Sequence, residues 1–201
     1  MGPRRAQMAV TKGQHTHPHG MYFGGAAPTW SQQAFRQALR QHAGQARRLA
    51  WIDLHSGLGP FGVGERIFAS MDAGAALTRA RQWWGEGVTS VHTGSSTSIP
   101  MTGPIQMAVD DECPQAEYTG ICLEFGTVPL PQMLMALRGE HWLHRHPEAD
   151  VTLAADIRRT FRAAFYPDTD DWKRALWAQG LQATQQALRG LASSAAAATA
   201  A

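Results

Sequence analysis

Two residues of this chain have the type and placement to do chemistry: His55, in "WIDLHSGLGPFG" from Trp51 to Gly62, and Glu124, in "YTGICLEFGTVP". His55 follows a short apolar run and precedes a glycine-rich turn. A histidine just past the carboxyl end of a buried strand sits where open α/β sheets place their ligands. Neutral imidazole is a common metal ligand whose second nitrogen needs an outer acceptor. Asp53, two residues earlier on the same strand face, is placed to fix a group nearby. From this stretch alone a metal ligand and a turn-capping histidine are both open. Glu124 lies between Leu123 and Phe125, where a carboxylate is costly unless it is paired or functional. Desolvated and near a metal-activated water, it would serve as a general base. The alternative is a glutamate on the solvent face, because strand alternation points Cys122 and Glu124 one way and Leu123 and Phe125 the other. A sheet covered on both faces weakens that alternative.

The remaining histidines are less directed. "HTHPHG" sets His15, His17 and His19 at alternate positions, a metal-binding module if the segment is extended, but Pro18 and Gly20 favour a turn. His141 and His144 are three apart on a helical stretch without a His-Glu-x-x-His pattern. The glycines of "GLGPFGVGE" lack dinucleotide-site spacing, and no phosphate-loop lysine is present, which removes both nucleotide readings.

Positioning these groups requires a folded scaffold, and the composition supplies one. The chain has 201 residues, 44% hydrophobic and 17% charged, enough for one domain with a real core. A net charge of +2 without a long basic run argues against a nucleic-acid partner. Two cysteines, Cys113 and Cys122, are too few for a disulfide framework or a structural zinc site, and Cys122 reads as a small buried side chain. No segment approaches the ~20 apolar residues of a membrane span, and the N-terminus lacks a secretory apolar stretch, so the expected location is cytoplasmic.

"PTWSQQAFRQALRQHAG" reads as a helix capped by Ser31 and ended near Gly44, and "RLAWIDL" as a buried strand. "GAALTRARQWW" predicts a helix, residues 94–103 a loop, and "YTGICLEFGTVP" a second strand. Three helical stretches follow: "PQMLMALRGEHWLH", "DVTLAADIRRTFRAAF" and "TDDWKRALWAQGLQATQQALRG". Together they predict a layered α/β unit over residues 1–190, with only two or three clear strands, and an Ala-rich low-complexity tail over 191–201.

In combination, "GQHTHPHGMYFGGAAPTWS", "WIDLHSGLGPFGVGE" and "CLEFGTVP" resemble an uncharacterised bacterial branch of the zinc carboxypeptidase superfamily, across most of residues 8–165. The resemblance implies a mixed sheet with flanking helices, like the C-terminal half of a phosphorylase/hydrolase-like domain. It implies zinc as cofactor, His55 as the third zinc ligand, Glu124 as the catalytic glutamate, and a peptide or amide as substrate. The superfamily's early His-x-x-Glu pair is missing: no glutamate of this chain has a histidine three residues before it. The Asn-Arg-Asn-type stretch that supplies a substrate-binding arginine is missing too. The chain is therefore expected to be the C-terminal part of such an enzyme, inactive alone and joined by a separate N-terminal segment. The alternatives are a non-catalytic remnant or subunit and, less directly, a module using His15, His17 and His19.

Overall fold

The computed structural model describes residues 3–71 and 74–199. In chain order the elements are α1 (Pro3–Lys12), α2 (Trp30–His42), β1 (Arg48–Phe61), β2 (Gly64–Phe68), α3 (Ala75–Trp84), β3 (Thr89–Ser90), α4 (Met107–Glu112), β4 (Glu117–Gly126), α5 (Leu130–Arg145), α6 (Val151–Phe165) and α7 (Asp170–Thr199). The four strands make one mixed sheet in the order β1-β4-β2-β3, flanked by helices. β1 runs parallel to β4, and β2 runs antiparallel to β4.

Alternation divides the strand residues between two covered faces. On one face Ile52, Ile121, Leu123, Phe125 and Phe68 meet α3 and α7 through Leu77, Ala80, Trp84, Trp172, Ala183 and Ala187. Each indole finds an acceptor there, as buried tryptophans require: Trp84 Nε1 donates to the Ala183 carbonyl (2.9 Å) and Trp172 Nε1 to the Gly126 carbonyl (3.1 Å). On the other face Leu49, Trp51 and Tyr118 receive α2 and α4 through Phe35, Leu39 and Val109. Arg36 ties those two helices together, donating to Asp111 (2.8 Å) and Glu112 (2.7 Å), and Arg40 adds a second bond to Glu112 (2.7 Å). The two guanidiniums hold the Glu112 carboxyl below its ordinary range.

Several sequence expectations are corrected. β1 does not stop near Leu54 but continues to Phe61, because its ladder with β4 runs on through His55↔Glu124 and Gly57↔Gly126. Nor is it a buried strand: it forms an edge of the sheet, and its first half is only partly covered. The α2 cap is Thr29, whose hydroxyl accepts from the Gln32 amide, whereas Ser31 lies inside the helix. α1, β2, β3 and α4 are additions to the elements read from the sequence.

Past Gly57 the chain bulges, so that Phe61 also pairs with Gly126. Gly59 adopts φ +106° within this bulge. The crossing presses backbone directly on Gly126: a Cβ there would lie 2.1 Å from the Pro60 carbonyl oxygen and 2.3 Å from that of Gly59. The obstacles are main chain, not the ends of flexible side chains. Gly126→Ala is expected to destabilise the fold by about 3 kcal/mol, as overpacking of a tight site does, measured by urea denaturation.

Among the described residues no strand pairs with the outer edge of β1. Beside it, Leu54 is 65% and Trp177 72% exposed, along an apolar trough that also involves Ile52, Leu176 and Leu181. An open edge beside apolar side chains promotes association. The isolated chain is expected to self-associate with rising concentration in sedimentation velocity, and Leu54→Lys with Trp177→Lys should shift it toward monomer.

Candidate metal centre

The register of β1 with β4 assembles the site. Asp53 pairs with Cys122 and His55 with Glu124, so these four side chains share the face that carries Leu49, Trp51 and Tyr118. β2 adds Glu65 opposite Glu124 and Ile67 opposite Cys122. His55 Nε2 stands 3.0 Å from Asp53 Oδ2, and His55 Nδ1 stands 3.9 Å from Glu124 Oε2. The Asp53 contact is an ion pair by distance but is poorly aligned, so Asp53 Oδ2 is buried without a well-formed hydrogen bond.

Glu124 is 8% exposed. Its Oε1 accepts a hydrogen bond from the Leu58 amide at 2.9 Å, which the bulge delivers, while Oε2 faces the imidazole. Burial raises its pKa above the usual carboxylate value; the Leu58 amide and His55 oppose the shift, and Glu65 and Asp53 add to it. The His55 pKa is also raised, first by Asp53, with burial working against it and Glu124 helping. Burial, together with the neighbouring carboxylates, holds the Cys122 thiol protonated. Glu65 is fully engaged elsewhere: it accepts from Thr89 Oγ1 (2.6 Å), the Thr97 amide (3.1 Å) and the Thr97 hydroxyl.

The site opens on a recess of about 200 Å3 that includes Asp53, His55, Cys122 and Glu124, with Ile67, Val91, Ile99 and Met101 among its apolar walls. Donor atoms of His55, Cys122 and Glu124 all lie within 4.8 Å of one another. Zinc takes nitrogen, sulfur and oxygen donors at ~2.0–2.3 Å, and these three residues offer one of each. Asp53 Oδ2, 3.0 Å from His55 Nε2, is placed as the outer acceptor that a ligating histidine uses to fix its tautomer. The residues present fit part of the ion's coordination shell.

Both residues singled out in the sequence, His55 and Glu124, therefore meet at one place. What sequence reasoning missed is the Leu58 amide and Cys122. Period-two counting already put Cys122 on the Glu124 face, but its apolar neighbours made it read as packing. The His15, His17 and His19 module does not assemble: among the described residues these three form no donor cluster. His15 Nδ1 meets the Gly25 carbonyl (3.1 Å), His17 Nδ1 the Thr16 hydroxyl (2.8 Å), and His19 Nδ1 accepts from Arg145 (3.2 Å). His144 is drawn instead toward Glu140, at 3.9 Å.

The raised Glu124 pKa carries a stability consequence. An acid whose folded pKa lies above its unfolded value of 4.5 weakens the fold once ionised. That penalty is absent below the unfolded value, grows between the unfolded and the folded value, and is complete above the folded one. Glu124→Gln keeps an acceptor for the Leu58 amide and removes the charge. It is expected to raise the melting temperature at pH 7 by roughly 2–4 °C, equivalent to ~1 kcal/mol in a chain of this size, and to lose that advantage near pH 4.

Comparison with known proteins gives one family. A family described as "Protein of unknown function (DUF2817)" matches residues 1–179. No curated protein and no solved structure matches the chain. With the match spanning most of its length, this chain belongs to the DUF2817 family.

Proposed function

We propose that this chain is the part of a zinc-dependent, metallocarboxypeptidase-like hydrolase that carries one metal ligand and the general base, acting on a peptide or amide bond. The observation that supports it is the approach of His55 Nδ1 to Glu124 Oε2, 3.9 Å across β1 and β4 at the carboxyl end of their parallel ladder. His55 would hold the ion through Nδ1 while Nε2 is directed at Asp53. When bound, zinc supplies Lewis acidity toward the amide carbonyl and toward water. Glu124, with Oε1 fixed by the Leu58 amide, would take a proton at Oε2 from the attacking water and return it to the leaving amine. Its raised pKa brings it closer to the neutral range in which such a shuttle works best. The apolar walls would exclude bulk water and seat an apolar group of the substrate.

Catalytic zinc sites use three protein ligands. In this reading the missing ligands come from a separate segment with a His-x-x-Glu pair, docked along the open edge of β1. A second reading is favoured by that same edge: a non-catalytic subunit that pairs with such a segment without hydrolysis.

Co-expression with a His-x-x-Glu-bearing segment is the test. Alone, the chain should bind zinc weakly and leave N-acyl dipeptides uncleaved. The complex should gain tight zinc and hydrolysis together, and Glu124→Gln should then cut turnover by ~100-fold or more while zinc is retained. A stable complex without hydrolysis would favour the second reading. Stoichiometric tight zinc in the isolated chain, abolished by His55→Ala, would overturn the half-site.

A further inference from the structure

We propose that Cys122 is a metal ligand, binding through Sγ beside His55, so that this chain contributes a nitrogen–sulfur pair to the ion. The inference rests on the reading above that a metal sits at His55. Cys122 is opposite Asp53 on the neighbouring strand and two residues before Glu124, and it lines the recess together with His55 and Glu124. The three donor atoms lie within 4.8 Å of one another. Bond lengths of ~2.0–2.3 Å in a tetrahedral site require donor separations of roughly 3.4–3.6 Å, which leaves about 1 Å to close by side-chain rotation. Cys122 has no disulfide partner. Cys113, the other cysteine, packs in a separate cluster with Leu39 and Tyr118, so Cys122 is the sulfur that the site can recruit. Elsewhere on this face β4 carries Tyr118 and Gly120, neither of which offers a metal a comparable donor.

As the S–metal bond forms, the S–H proton leaves to solvent and the sulfur binds as thiolate. Thiolate is a soft donor, and it gives the site a preference that carboxylates alone would not. Zinc and cobalt should bind, whereas magnesium and calcium should not compete. Glu124 remains free to act as base, because the Leu58 amide already fixes one of its oxygens.

Cobalt(II) titration of the full chain at high protein concentration reads the ligands directly. The expected spectrum combines visible d–d bands with a near-ultraviolet sulfur-to-cobalt charge-transfer band. Cys122→Ser should abolish the charge-transfer band, Cys113→Ser should keep it, and tenfold excess magnesium should leave it unchanged. X-ray absorption of the zinc-loaded wild-type chain needs no variant and should show a sulfur neighbour at about 2.3 Å. Visible bands that depend on His55 but lack both the charge-transfer band and the sulfur neighbour would overturn the Cys122 assignment and leave the His55 reading standing. The absence of any cobalt or zinc signal would overturn both.

Discussion

Parallel pairing of β1 with β4 places His55 opposite Glu124 and Asp53 opposite Cys122, and the whole site depends on that register. A slip by one residue would turn either strand's set to the opposite face, where α3 and α7 have filled the space with Trp84, Trp172 and Ala183. The apolar face therefore does more than stabilise: Ile52, Ile121 and Phe125 can be buried only in the register that also assembles the polar cluster. On the other side, Trp51 packs edge-on to Phe35 (5.5 Å between ring centroids) and enforces the same choice. Two opposed cores thus hold one alignment, and the recess lies where the second of them gives way to the loop around Ile99 and Met101.

Within that frame the polar groups are unequally satisfied. Glu65 has three donors, and Glu124 has one amide and a distant imidazole. Two carboxylates on adjacent strands would repel strongly in a covered site, and tying Glu65 to Thr89 and Thr97 draws its charge away from the recess. Asp53 is left with a buried oxygen that nothing donates to cleanly.

The strands and residues that could be read from the sequence share one property: their local pattern and their tertiary environment agree. β4 is an apolar, β-branched run bounded by glycine and proline, and Glu124 stands out in it because a charge there contradicts its neighbours. β2, "GERIF", was illegible because Glu65 and Arg66 look like loop charge until the partners Thr89 and Trp84 are known. β3 has two residues, and α4 has six, too few for any periodic signal. The extent of β1 was missed because its glycines suggested a turn, yet pairing with β4 carried the strand past them. The Leu58 amide could not be seen at all, since a main-chain donor leaves no trace in residue type.

The strand order has a consequence for the chain as it is made. β1 and β2 are complete by Phe68, but both pair with β4, which begins only at Glu117. During synthesis at ~5–20 residues per second, β1 waits roughly 3–11 s for its first partner to emerge. Throughout that interval the apolar run from Leu49 to Leu54 is available to holdase chaperones or to another nascent chain on the same message. Because the closing contacts span distant parts of the sequence, condensation of the sheet is a late and slow event. Synonymous changes that alter translation speed between Phe68 and Glu117 would therefore act on the yield of folded protein without touching a single side chain.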